Sequence, residues 1–136
     1  MNSRYLSRLQ LHALARLGDA YLPGDQEFPS FRRLGCIEHV DRILEHTPPS
    51  DLQDLKMVLS ILFFFPKWTL ILLIHCLHAL RNLPGPAGNL VRAMGFGFKA
   101  LTMSLYYSGL KGSSYSGKTP LELLDYEVQV YRGDCL

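Results

Sequence analysis

Cysteine is scarce in this chain. Cys36, Cys76 and Cys135 stand far apart, with no Cys-x-x-Cys pair among them. An odd, dispersed set excludes a disulfide framework and a zinc ribbon; it reads as reduced thiols in a reducing compartment, two of them core filler. An excess of one charge is lacking too. A net charge of +2 over 136 residues sets up no strong field toward nucleic acid or an acidic partner, and no DNA- or RNA-reading signature is present. The opening MNSRYLSRLQLHAL has no unbroken apolar stretch, so no signal peptide is expected. Arg32-Arg33 spells a twin arginine without the apolar segment that should follow, and export would have to ride on another chain. Cys135 lies too near the end for prenylation, which takes a cysteine fourth from the terminus. Internal repeats are absent, and the length is that of one domain.

One long apolar run exists, Met57 to Leu80, holding the only tryptophan, Trp68. It is long enough to cross a bilayer, which takes roughly 20 residues. Pro66 and Lys67 stand at its middle, however, and a central lysine costs about 2.5–3.5 kcal/mol on insertion scales. Two buried helices meeting at Phe65-Pro66 fit better, because the residue before proline avoids the α region and proline suits a first turn. On this reading the run is the core, and a helix apolar on all sides between Leu70 and Ile74 is central or shares an interface.

The rest of the chain reads as helices around that run. Ser7 caps a first helix to about Leu22, with Leu6, Leu9, Ala13, Leu17 and Ala20 on one face. Ser30 caps a second, whose inward positions are Cys36, Ile37, Val40, Ile43 and Leu44. Ser50 with Gln53 makes a capping box for a third, the fourth spans about Lys67 to Leu83, and the fifth runs from Asn89 to about Tyr107. On this last helix Leu90, Met94, Phe98, Leu101 and Leu105 have core spacing, while Arg92, Phe96, Lys99, Met103 and Tyr106 line the other side. Gly95 and Gly97 each cost it about 1 kcal/mol relative to alanine, which implies a close backbone approach there. A Gly/Ser loop, a capping box at Thr119 and Glu122, and an extended tail from Tyr126 to Tyr131 complete an all-α single domain of about five helices.

Candidate chemistry is thin. Gly112 to Thr119, GSSYSGKT, matches the phosphate-loop spelling, but that loop needs a buried strand before it and a long helix after it, and Pro120 follows at once. His75 and His78 have the i, i+3 spacing of paired metal ligands without an obvious third ligand. No G-x-S-x-G elbow supports a nucleophile. More informative are Phe96, Tyr106, Tyr107, Tyr115 and Tyr126. Tyrosines beside a methionine on an outer stripe suit a protein interface, or else the C-terminal segment folds back over them.

Several stretches occur in a meaningful order: LARLGDAYLPG from Leu14, then Pro29, Val40-Asp41-Arg42, the apolar run ending in Phe65-Pro66, FKAL from Phe98, and Tyr106-Tyr107-Ser108. Together they resemble the gluconate 2-dehydrogenase subunit 3 family, the small subunits of FAD-dependent glucose-methanol-choline-type dehydrogenases. They are also similar to the helical segment preceding the flavin domain of long-chain alcohol oxidases. The resemblance implies a non-catalytic accessory chain that binds a large subunit, which itself carries the FAD and the catalytic histidine. This sequence departs from the family in lacking the export signal, in a shorter connection before the fifth helix, and in Leu124-Asp125-Tyr126 where the family ends in Gly-Tyr. The expected partner-binding residues are Arg92, Phe96, Lys99, Met103, Tyr106, Tyr107, Tyr115 and Tyr126, with no cofactor or metal in this chain, no nucleic-acid partner and a cytoplasmic location. The alternative is a membrane-associated or lipid-handling helical protein that uses the Phe63–Leu73 region.

Overall fold

Ser7 starts the first helix as expected. Its hydroxyl accepts from the Gln10 N–H (3.3 Å) while the Gln10 carboxamide oxygen accepts from the Ser7 N–H (2.9 Å), a reciprocal capping box. In the computed structural model, which describes residues 3–126, this helix is α1, Arg8–Tyr21. There follow α2 (Phe31–Leu34), α3 (Val40–Leu44), α4 (Pro49–Phe63), α5 (Lys67–Ala79), α6 (Gly85–Tyr106) and α7 (Pro120–Leu123), with 3-10 turns at Cys36–His39 and Leu80–Asn82. No strand occurs among the described residues, and the fold is all-α. The expected tail beyond Tyr126 lies outside the described residues.

The central element is α1, which packs against α2, α4, α5 and α6. Being surrounded, it buries a broader face than the single stripe read from its sequence: Leu11, Ala13, Leu14, Ala15, Leu17 and Gly18 are all inside, while Leu9 is exposed. Gly18 is the tightest point. The Phe31 ring lies directly on it, so that a Cβ there would stand 2.2 Å from Phe31 Cδ1. Around that contact Leu34, Cys36, Ile37, Val40 and Leu44 close the core against Phe98, Leu105 and Tyr106 of α6.

The second expected helix is broken. Ser30 does cap it, accepting from the Arg33 N–H at 3.2 Å, but Gly35 takes φ +70 and divides α2 from the 3-10 turn. Only a residue without Cβ fits this conformation easily, and there the backbone also meets Gly112: a Cβ on Gly35 would lie 2.9 Å from the Gly112 Cα. Ser50 and Gln53 form no capping box. The helix begins two residues earlier, at Pro49, whose ring presets a first-turn φ, and the Ser50 hydroxyl turns to Asp51 instead. Likewise α6 starts at Gly85, before the expected Asn89, because Pro86 in its first turn has no N–H to leave unpaired.

The largest correction concerns the apolar run. Its break is where the sequence puts it, with α4 ending at Phe63 and an extended Pro66 leading into α5. Yet the run is not the core. Leu59 and Leu62 of α4 are buried, but on α5 only Leu70 is, and Trp68 is 69% exposed. A helix apolar all round can turn one stripe to α1 and α6; with no further element over it among the described residues, the other stripes stay in the open.

Replacing Gly18 with alanine should drive a methyl into the Phe31 ring and cost about 1–3 kcal/mol, the usual range for overpacking. The urea midpoint measures it. Combining Gly18→Ala with Phe31→Leu should cost less than the sum of the two single changes.

Candidate docking surface

The described residues do not bring the phosphate-loop spelling into a phosphate cradle. The helix α6 precedes the loop and the one-turn α7 follows it. The Gly112 N–H donates to the Leu34 carbonyl (2.9 Å), and the Ser113 N–H and hydroxyl both donate to the Glu38 carboxylate (3.0 and 3.3 Å). Lys111 Nζ donates to the Gly117 carbonyl at 3.2 Å. An acid holds the loop at the place where a phosphate would need donors. The stretch is a clasp that ties the C-terminal segment onto the 3-10 turn at Cys36–His39.

His75 and His78 both face outward on α5, and the His75 Nδ1 lies 2.8 Å from the Ile71 carbonyl, its own helix backbone. Among the described residues, no group of three or more His, Cys, Asp or Glu side chains is placed to hold a metal ion. Cys36 is buried, and desolvation pushes its thiol up to about 12, which keeps it protonated and inert. Gly95 makes only ordinary contact with Leu77, and nothing stands over Gly97, so neither glycine serves a close approach among the described residues.

The outer stripe of α6 is where the proposed interface residues divide. Phe96 is 77% exposed, Lys99 is exposed, Met103 is half-buried and Tyr107 is exposed. These four share one side of the helix. Arg92 does not reach outward from it: its guanidinium donates to the carbonyls of Arg81 (2.8 Å) and Leu83 (3.2 Å) and to Asn89, clamping the α5–α6 turn. Tyr106 is not a surface residue at all. It is buried in the core, its hydroxyl donating to the Pro29 carbonyl at 2.6 Å, with its ring edge-on to Tyr107. Tyr115 also turns inward, packing on the core over Gly117 and donating to the Lys118 carbonyl at 3.1 Å. Tyr126 is 63% exposed. Tyr106 and Tyr115 thus turn into the chain, Tyr106 beneath Pro29 and Tyr115 within its own loop, while Phe96, Tyr107 and Tyr126 stay exposed.

A second surface lies in the Phe63–Leu73 region, which the alternative reading uses as an apolar contact and the core reading of the run would have buried. Phe64, Phe65 and Trp68 project from the corner between α4 and α5. Its signal was present in the Phe-Pro-Lys-Trp order, since a polar, proline-broken corner between two helices is where water reaches. A shallow groove lined by Tyr21, Leu22, Phe28, Tyr106 and Tyr107 also opens near Asp25. The Asp25 carboxylate accepts from the N–H groups of Phe28 and Glu27 (both 2.8 Å), which holds its pKa below the usual value. The carboxylate is thus taken up by its own turn.

Removing the Tyr106 hydroxyl should leave the buried Pro29 carbonyl unpaired, so Tyr106→Phe should cost about 1–3 kcal/mol. Burial raises Tyr106 from 10.0 to about 12 and Cys36 from 9.0 to about 12. In both, the folded state holds a proton that the unfolded chain releases. Their stabilisation is therefore complete below pH 9 and falls as the pH rises from there to about 12. Alkaline urea titrations should show this decline in the native chain, and a Cys36→Ala, Tyr106→Phe variant should flatten most of it.

No family model, curated protein or solved structure matches this chain.

Proposed function

We propose that this chain is a non-catalytic accessory subunit that binds the large subunit of an FAD-dependent alcohol or sugar dehydrogenase through the outer stripe of α6. The observation that carries the reading is Phe96, a large aromatic side chain 77% exposed on a 22-residue helix whose opposite face is anchored in the core by Phe98 and Leu105. An aromatic held out on a rigid helix loses little entropy on docking and is the residue type that concentrates binding energy. Met103 and Tyr107 extend it along the same side, and Tyr126 adds a further exposed ring. Lys99 at the border would steer orientation more than affinity. Stable pairs of this kind bury about 1,600 Å² in total. That the partner is a flavoprotein rests on the ordered resemblance from Leu14 to Ser108; the FAD and the redox chemistry belong to that partner, and none is assigned here.

The test is a tagged chain purified from its native cells with the eluate scanned for flavin absorbance. Wild type should bring down a yellow complex. Phe96→Asp should lose it while its urea midpoint stays within about 0.5 kcal/mol of wild type, as exposed substitutions do. A co-purified partner without flavin would remove the flavoprotein assignment, and retention of the partner by Phe96→Asp would remove the α6 stripe.

A further inference from the structure

The small net charge conceals a segregation. Between Asp54 and Glu122 the chain has no acidic residue, while Lys56, Lys67, Arg81, Arg92, Lys99, Lys111 and Lys118 all lie in that span. The span contains the C-terminal part of α4 and the whole of α5 and α6. These are the elements that also leave apolar side chains uncovered: Phe64 is 84% exposed, and Phe65, Trp68, Ile71 and Leu72 continue the patch along α5.

The corner is held firmly. Arg16 of α1 donates to the Phe63 carbonyl at 3.1 Å and to the Phe65 carbonyl, two of the acceptors that the end of α4 leaves without helical partners. Phe64, Phe65 and Trp68 are thereby presented as a fixed wedge. Lys67 stands beside Trp68, and Arg81 marks the other end of α5, about 20 Å away. Among the described residues, the nearest acids of the adjoining helices α1 and α4 are remote or occupied. Asp54 lies about 15 Å back along α4. Asp19, the only acid of α1, receives the Arg32 N–H at 2.8 Å and faces its guanidinium at 3.8 Å.

We infer that the α4–α5 corner and the outer face of α5 dock on an anionic lipid surface, lying in the interface. No described helix is long and apolar enough to cross a membrane, whereas aromatic rings with flanking lysine or arginine are suited to the headgroup level. Each basic group held near an anionic surface is worth roughly fivefold in partitioning. Lipid is favoured over a protein partner because, among the described residues, the charged groups that flank the patch on α5, Lys67 and Arg81, carry one sign. Headgroups supply the opposite sign along the whole of it without a matching shape. The inference is independent of the flavoprotein reading, which uses the other stripe, on α6.

Trp68 is the only tryptophan, so its emission reports directly on the wedge. The full chain is mixed with vesicles of phosphatidylcholine alone or of phosphatidylcholine with phosphatidylglycerol. With the anionic vesicles the chain should sediment and its emission shift to the blue, and added salt should release it. Lys67→Gln should weaken partitioning about fivefold and Phe64→Ser should abolish the shift, both with an unchanged urea midpoint because both side chains are exposed. Absence of a shift with anionic vesicles overturns the inference, as does equal binding to neutral vesicles. So does a concentration-dependent shift without lipid, which would assign the wedge to a second copy of the chain. A shift caused only by a partner protein would do the same.

Discussion

The Phe31 ring resting on the bare backbone of Gly18 is the contact from which the rest of the arrangement follows. It brings α2 flat against α1. With α2 in place, the Pro29 carbonyl just ahead of it receives the Tyr106 hydroxyl and seats the C-terminal end of α6. Gly35, just beyond α2, meets Gly112 backbone to backbone and seats the loop that follows. Three chain segments distant in sequence are thus assembled at one end of the molecule. A side chain at Gly18 would push that end apart, and core packing tolerates such insertions poorly.

The opposite end has no such closure. Past Leu70 the outward faces of α5 find no covering element among the described residues, and α6 is anchored mainly through Phe98, Thr102, Leu105 and Tyr106. Two apolar surfaces result, one along the outer side of α6 and one at the α4–α5 corner. They differ in kind. The α6 stripe is narrow, with a single large ring at its middle and a lysine at its border, the pattern of a site that meets one shaped partner. The corner is a cluster of aromatic rings in a stretch that carries only positive charge, which suits a surface that is extended and uniformly negative. Under the two proposals, the chain would hold a protein on one side while it rests on lipid with another.

The legible parts of the sequence are those with local causes. Ser7 with Gln10, Ser30, and Thr119 with Glu122 each mark a helix start, because a cap is settled within four residues. The break at Phe65-Pro66 is local as well, set by the proline ring. Ser50 with Gln53 was misread because Pro49 offers an equally local and competing start. Tyr106 was misread for another reason. It and Tyr107 are adjacent rings at the end of the same helix, and only the docking of Pro29 distinguishes the one that is buried. Arg92 shares that history, since its carbonyl partners are supplied by the turn at Arg81 and Leu83.

From its sequence alone the chain was bound to be helical and to carry more apolar surface than so few helices can hide. Periodicity, caps and prolines act over a few residues and need no tertiary partner to be read. Which apolar residues would be hidden was decided only on folding. Mean hydropathy pointed to Met57–Leu80 as the interior, but burial belongs to whatever is enclosed on all sides, and the small residues of α1 (Ala13, Ala15 and Gly18) let other elements close around that helix instead. A helix with no preferred face has nothing in its sequence to say which side water will touch. That depends on neighbours, and α5 has too few of them to cover it.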